Sequence, residues 1–359
     1  MEKMNDNKFL LIVFLSASLA ALSSCAAFQK YLDTSGMEAS YESIIKDYHP
    51  GNPVDFFRFV ENFSLSQWTA PFDPGSPEEK PIGDWKLESP KGATLIQEKL
   101  FFPTPAAALT HSEDKLVLYV YRQDEIKGSR ALLFVPGNGV SNLALIFLKK
   151  YFREILTRGY TLVLYVPPYH LDRIPAGKEG GDGFFTADSL RNVRMIAACT
   201  SEVRAAVSYL KSLGAVDISA WGGSMGASFL LLSAKYESYS HITVMIPVLD
   251  WNSVLMDNPE MRGLKDRVLA DGFSEKTLRQ AYGMISPMNH KTLTPPDRIL
   301  ILYARYDQLT SVSVLDAYRK SHGNPGLQIY DRSHATILTA SAIYDDYALQ
   351  LDEWDKSVR

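Results

Sequence analysis

The sequence predicts a mostly parallel, doubly wound α/β sheet, and three observations carry that prediction. Apolar runs of strand length alternate with helical runs from about residue 90 to the C-terminus. Two of these runs, Ala131 to Val135 and Thr161 to Val166, are continuously apolar, as strands buried on both faces require. Between Val216 and Ala234 a short strand, a tight turn and an apolar helix follow one another, with Ser224 at the apex.

The elements before the sheet come first. Lys3 and Lys8 head an apolar run, Phe9 to Leu15, that is too short to span a bilayer and suits the core of a signal peptide. Residues 26 to about 82 form an extension. Tyr31, Leu32, Tyr41, Ile44, Ile45 and Tyr48 suggest one helix, and Phe56, Phe57, Phe59, Val60 and Phe63 another. Pro71, Pro74, Pro77 and Pro81 mark a helix-free connector. So many aromatic residues do not suit a flexible tether, and the extension is expected to pack on the main domain or toward a membrane.

In the main domain, residues 83–359, strands are expected at Ala93 to Phe102 and Leu116 to Tyr121, as an antiparallel opening, then at Ala131 to Val135. A helix from Ser141 to Arg158, stopped by Gly159, leads to the strand Thr161 to Val166. A glycine-rich loop and a helix from about Ala187 to Leu213 precede the strand Val216 to Trp221. Further strands are expected at Ile242 to Val248, Arg298 to Tyr303 and Leu327 to Tyr330. Helices are expected at Val312 to Ser321 and about Ala335 to Trp354, and residues 249–296 read as an irregular helical insertion.

Composition bounds the function. An apolar fraction of 46% supplies a packed core, and a net charge of −4 without any basic run argues against nucleic acid as a partner. No metal-ligand spacing, phosphate-binding loop or dinucleotide fingerprint occurs, so neither metal nor cofactor is expected. Of the two cysteines, Cys199 lies on an apolar helical run, where a buried thiol acts as a small hydrophobe.

The chemistry centres on Gly222-Gly223-Ser224-Met225-Gly226. Glycines two residues either side of a serine allow a sharp strand-to-helix turn that presents the hydroxyl and aims the next backbone N–H, that of Met225, at the same place. A serine hydroxyl needs a base, and the base is normally a histidine oriented by a carboxylate. Of seven histidines, only His334 follows the final strand at its carboxyl end, where reactive groups collect in such sheets. Asp307, just beyond the strand Arg298 to Tyr303, is the favoured acid, and Asp250, after the strand Ile242 to Val248, is the alternative. Asn138, in Pro136-Gly137-Asn138-Gly139-Val140, is expected to supply the second oxyanion N–H, with Gly139 next.

Ser224, Asp307 and His334, in that chain order and after those strands, resemble the catalytic triad of the α/β-hydrolase superfamily. The resemblance implies an α/β-hydrolase type sheet with a helical cap at about 249–296 and covalent attack on an acyl group. It departs at Pro136, where many members carry a histidine; a backbone donor does not need that side chain. Pro168-Tyr169-His170-Leu171-Asp172-Arg173-Ile174-Pro175 also resembles the Pro-Tyr…Arg…Pro loop of an α/β-hydrolase branch that includes organellar lipid-linked members. Tyr169, His170 and Arg173 either line the pocket mouth, with Arg173 facing a carboxylate or phosphate, or form a polar loop network. Met256, Met261, Met284, Met288 and Trp251 in the cap suit a greasy acyl substrate or ordinary helix packing.

The leader ends in Leu22-Ser23-Ser24-Cys25, which resembles the lipobox of bacterial lipoproteins. The resemblance implies a signal peptide over residues 1–24, lipidation of Cys25 and anchoring in the cell envelope. Ala26, in place of a retaining aspartate, then points to the outer membrane, facing the periplasm. The expected function is a membrane-anchored serine hydrolase of esterase or lipase type. An acyltransferase on the same triad and a non-catalytic envelope binding module are the alternatives.

Overall fold

The structure is a computed structural model that describes residues 25–73, 75–89, 94–111, 113–123, 130–140 and 142–357. Residues 1–24, where a signal peptide and a lipobox at Leu22, Ser23 and Ser24 are expected, lie outside the described residues, as do Pro74 of the connector, Ala93 and Ser141.

Among the described residues, nine strands form one sheet: β1 (Glu78–Pro81), β2 (Ile96–Phe102), β3 (Leu116–Arg122), β4 (Arg130–Val135), β5 (Thr161–Val166), β6 (Asp217–Gly223), β7 (Ile242–Met245), β8 (Ile299–Ala304) and β9 (Gly326–Tyr330). Their order is β1-β2-β3-β5-β4-β6-β7-β8-β9. Antiparallel pairing runs from β1 to β5, and every pair from β5 through β4 to β9 is parallel. The order reverses at β4: its successor β5 lies on one side and β6 on the other. A crevice at the carboxyl ends of the strands is the geometric result.

Among the described residues, eleven α-helices surround the sheet: α1 (Ala26–Lys46), α2 (Pro53–Asn62), α3 (Leu65–Trp68), α4 (Asn142–Thr157), α5 (Ser189–Ser212), α6 (Ser224–Ser233), α7 (Trp251–Leu255), α8 (Arg262–Ala270), α9 (Glu275–Met284), α10 (Val312–Ser321) and α11 (Ser341–Ser357). One apolar cluster packs α5, α6 and the α7–α9 insertion on one face, and a second packs α4 and α11 on the other. The continuously apolar strands β4 and β5 are buried between the two, which explains their lack of alternation.

The extension belongs to this body. Met37 and Ile44 of α1, Phe56 and Val60 of α2 and Leu65 of α3 join the same buried cluster as α5 and the cap. Burying each such side chain contributes about 1.5–3 kcal/mol. The connector also contains a strand that the sequence reading missed. Residues Glu78–Pro81 pair with Lys99 and its neighbours at the edge of the sheet. Glu-Glu-Lys-Pro is exposed throughout, so no apolar alternation marks it, and Pro81 is tolerated because the strand has no partner on its outer side.

Arg173 is buried and does not reach the pocket mouth. It is 3% exposed and donates to both oxygens of Asp114 (2.9 and 2.8 Å) and both oxygens of Glu202 (2.9 Å each), and to the carbonyl of Val166 (3.0 Å). Glu202 also accepts from Thr104 and Tyr165. The planar guanidinium thereby ties α5, the carboxyl end of β5 and the turn before β3 together, and anchors the loop that carries His170. A buried pair is costly to break because the survivors are left as uncompensated charges. Arg173→Met is therefore expected to lower unfolding free energy by about 3–5 kcal/mol, read as a fall in the urea midpoint at unchanged m-value.

Candidate active site

β6 delivers Ser224 directly into α6, with the serine itself at φ 48°. A non-glycine residue holds that backbone conformation only where the surroundings impose it. Here they do. A Cβ at Gly226 would fall on the carbonyl oxygens of Val135 and Pro136, and one at Gly222 would stand 2.7 Å from the Ala227 Cα. Gly137 also passes close, with a Cβ there 3.0 Å from the Ser224 Cβ. The glycines thus let the end of β4 press against the elbow.

The hydroxyl of Ser224 lies 2.7 Å from His334 Nε2, and His334 Nδ1 lies 2.9 Å from Asp307 Oδ2. Because the carboxylate can only accept, the ring proton belongs on Nδ1, which leaves Nε2 free to take the serine proton. Asp307 is itself oriented by the backbone N–H groups of Leu309 and Thr310 on Oδ1 (2.8 and 2.9 Å) and by the Thr310 hydroxyl on Oδ2 (2.7 Å). Asp250 does not enter this chain. Its carboxylate caps α7 through Asn252 N–H (3.0 Å) and accepts from the Ser286 hydroxyl (3.0 Å). Asp331 pairs with Arg305 on the surface.

The structure also separates Asn138 from Gly139. Both line the pocket with Ser224 and Met225, but Gly139 N–H donates to His170 Nε2 at 2.8 Å, so that amide is committed. Met225 N–H sits in the first turn of α6, where backbone donors lack intrahelical partners and the helix dipole is positive.

His170 takes the second of the two roles that the sequence left open, a place in a polar loop network. It is fully buried, its Nδ1 bonds the Pro168 carbonyl (2.8 Å), and its Nε2 accepts from the glycine loop. Burial pushes its pKa down to about 4. A neutral ring with one donor and one acceptor therefore pins the loop after β4 to the loop after β5. Tyr169, at φ 65°, bonds Arg191 through its hydroxyl (2.8 Å) and accepts Gly181 N–H on its carbonyl (2.7 Å). Neither residue lines the pocket; with Arg173 they form the polar loop network. Short-range sequence shows which residues are polar, but not which side of the loop is buried.

The cavity above Ser224 has a volume of about 420 Å³, within the range of small-molecule sites. Val248 and Met225 form its floor, Gly180 to Gly183 and Phe185 one wall, and Trp251, Val254, Leu255 and Met261 of the cap another. Trp251 is held by its indole N–H to the Ser228 hydroxyl (2.9 Å). Met261 alone of the four cap methionines lines the cavity; Met256, Met284 and Met288 pack in or against the core. The remaining wall is α1, through Met37, Ser40 and Ile44.

No protein-family model matches the sequence, nor does any curated protein sequence. Solved structures do match. An acetyl xylan esterase from Paenibacillus sp. R4 is 16% identical with a TM-score of 0.56, over 87% of this chain and 98% of that one. The chain has the α/β-hydrolase fold. A Pyrococcus furiosus esterase (16% identical, TM-score 0.46, 76% of this chain and 97% of that one) also matches. So does a Pyrococcus horikoshii acylaminoacyl peptidase (13%, TM-score 0.48, 73% and 42%).

Two protonation equilibria can be read here. Burial disfavours charge on His334, but the Asp307 carboxylate, its hydrogen bond and the Asp33 carboxylate outweigh it and raise the pKa above the usual 6.5. Because His334 must be neutral to act as base, any Ser224-dependent kcat/KM is expected to fall on acidification with a midpoint above pH 6.5, measured as a pH–rate profile. His170 has the opposite sign. Its folded pKa is below the unfolded value, so its contribution is intact above pH 6.5 and is lost between there and about pH 4. Relative to His170→Gln, the wild type is expected to lose on the order of 3 kcal/mol more stability over that window in urea titrations.

Proposed function

We propose that this protein is a lipid-anchored serine hydrolase that cleaves an ester with an apolar acyl group. The observation that carries the reading is the unbroken chain from Ser224 Oγ through the His334 ring to Asp307, at 2.7 and 2.9 Å. In the first step His334 Nε2 takes the hydroxyl proton as Ser224 Oγ attacks the ester carbon. The oxyanion that forms is held by the Asn138 and Met225 N–H groups, and Asp307 steadies the imidazolium. The same ring then protonates the departing alcohol, leaving an acyl-serine. A water molecule, activated by His334 in turn, releases the acid and regenerates the hydroxyl.

The apolar cap and α1 walls favour a hydrocarbon acyl chain over a charged one. The anchor is proposed at Cys25. This residue is exposed and immediately precedes α1, and its carbonyl accepts the Gln29 N–H at the start of that helix. Asp33, beside the triad, lies only eight residues further on, about 12 Å along a helix. Lipidation there would hold the cavity close to the outer-membrane surface, where lipid-like esters are concentrated.

Activity-based labelling tests the reading. A fluorophosphonate probe is expected to modify the wild type and leave Ser224→Ala unmodified; equal labelling of the two sinks the hydrolase. With p-nitrophenyl esters, kcat/KM is expected to rise from acetyl to medium-chain acyl groups. A steady fall with chain length would exclude an apolar acyl pocket.

A further inference from the structure

Resting on the serine-hydrolase reading, we infer that Asp33 of α1 is a positioning residue for catalysis: it clamps the acid-bearing loop and the histidine-bearing loop together from a helix some 300 residues earlier in the chain. Its carboxylate is 5% exposed. Oδ2 accepts Gln308 N–H at 3.1 Å and His334 N–H at 2.9 Å, and Oδ1 accepts Ala335 N–H at 2.9 Å. Gln308 follows Asp307 in sequence, so one carboxylate sets the spacing between acid and base.

The arrangement extends one turn back along the helix. Gln29 Oε1 accepts Ser333 N–H at 2.9 Å and also the Thr336 hydroxyl. Three successive amides, those of Ser333, His334 and Ala335, therefore find their acceptors on α1. Buried amides must be paired, and these three consecutive ones find acceptors on a helix remote in sequence, with the Ser333 N–H shared with the Thr336 hydroxyl (3.1 Å). The loops after β8 and β9 otherwise bond each other through Arg305 N–H to Tyr330 O and Tyr306 N–H to Arg332 O. Those bonds leave the His334 backbone itself unheld.

α1 is in turn seated by the cap. Asn258 bonds Met37 Sδ (3.5 Å) and the Gln308 carbonyl (3.1 Å), and the Tyr41 ring packs where Gly263 has no side chain. A displacement of about 1 Å in a reacting group costs on the order of 100-fold in rate, which is why a clamp at this place matters to turnover. The hydrogen bonds of the Asp33 carboxylate go to the backbone amides of Gln308, His334 and Ala335, so it acts through His334 and Asp307 rather than on substrate.

The charge of Asp33 adds a second effect. The charged groups facing His334 are Asp307, from the loop after β8, and Asp33, from α1, and both favour the protonated ring. Arg332, on the histidine loop, turns away to Thr339 and the Asp331 carbonyl. Removing the Asp33 charge should therefore lower the His334 pKa and move the acid limb of kcat/KM to lower pH.

The test uses the full chain. Asp33→Ala is expected to slow both kcat on a p-nitrophenyl ester and phosphonylation of Ser224 by about 10–100-fold, with KM changed less than about threefold. Asp33→Asn keeps an acceptor for Gln308 and His334, and is expected to restore most of the rate with the acid limb displaced to lower pH. Wild-type kcat in Asp33→Ala, or an unmoved limb in Asp33→Asn, overturns the inference. If Asp33→Ala does not fold, Asp33→Asn decides alone. NMR titration of the His334 ring in the Ser224→Ala protein, with and without Asp33→Asn, reads the charge effect without turnover. Absence of Ser224 labelling in the wild type overturns the hydrolase reading only, whereas an unmoved His334 titration overturns the role of Asp33.

Discussion

The left-handed backbone of Ser224 is the constraint around which the molecule is arranged. At φ 48° the chain leaves β6 and enters α6 within one residue, and the carbonyls of Val135 and Pro136 from β4 press so close that a Cβ at Gly226 would fall on them. The close approach that excludes a side chain at Gly226 also brings the loop after β4 beside the hydroxyl. The placing of the Ser224 hydroxyl beside the glycine loop thus follows from one packing contact between adjacent parallel strands, Val135 opposite Gly222. β4 is also where the strand order reverses, so the crevice and the elbow coincide.

Around that contact the molecule places charge and polarity in two buried networks of different kinds. Arg173, Asp114 and Glu202 form a fully satisfied ionic knot, insulated from the cavity, that anchors the loop after β5. From the same loop, neutral His170 reaches back to Gly139. The second network is the α1 clamp on the loops after β8 and β9. One holds the loop after β5 and through it Gly139, and the other holds the loops that carry Asp307 and His334. Low-dielectric surroundings strengthen both and make each partner costly to remove.

Much of this was legible in the sequence because the signals are local. Gly222 and Gly226 mark the elbow, the apolar runs mark strands buried on both faces, and the observed strand limits differ from the expected ones by a few residues at most, Val248 having been read as strand where β7 ends at Met245. Chain order after the strands was enough to single out Ser224, Asp307 and His334 as the residues that the structure brings into line. The choice between Asp307 and Asp250 was narrower, since each is an acidic residue just past a buried strand. It turns on which loop faces the histidine. Asp250 is drawn into capping α7, and Asp307 is left to meet the ring.

The sequence by itself determined eight of the nine described strands, the elbow and the order of Ser224, Asp307 and His334, because each depends on residues close together in the chain or on a period repeated along one element. Only the tertiary structure decided what surrounds them. The stripe of α1 that meets the site runs from Gln29 and Asp33 to Met37 and Ile44, polar at one end and apolar at the other, so no hydrophobic periodicity announces it. Likewise nothing near Arg173 in sequence reveals that Asp114 and Glu202 will enclose it rather than solvent. Those contacts span 59 and 29 residues, and the Asp33 contacts about 300, distances over which a side chain's partner is set by the packing of whole elements.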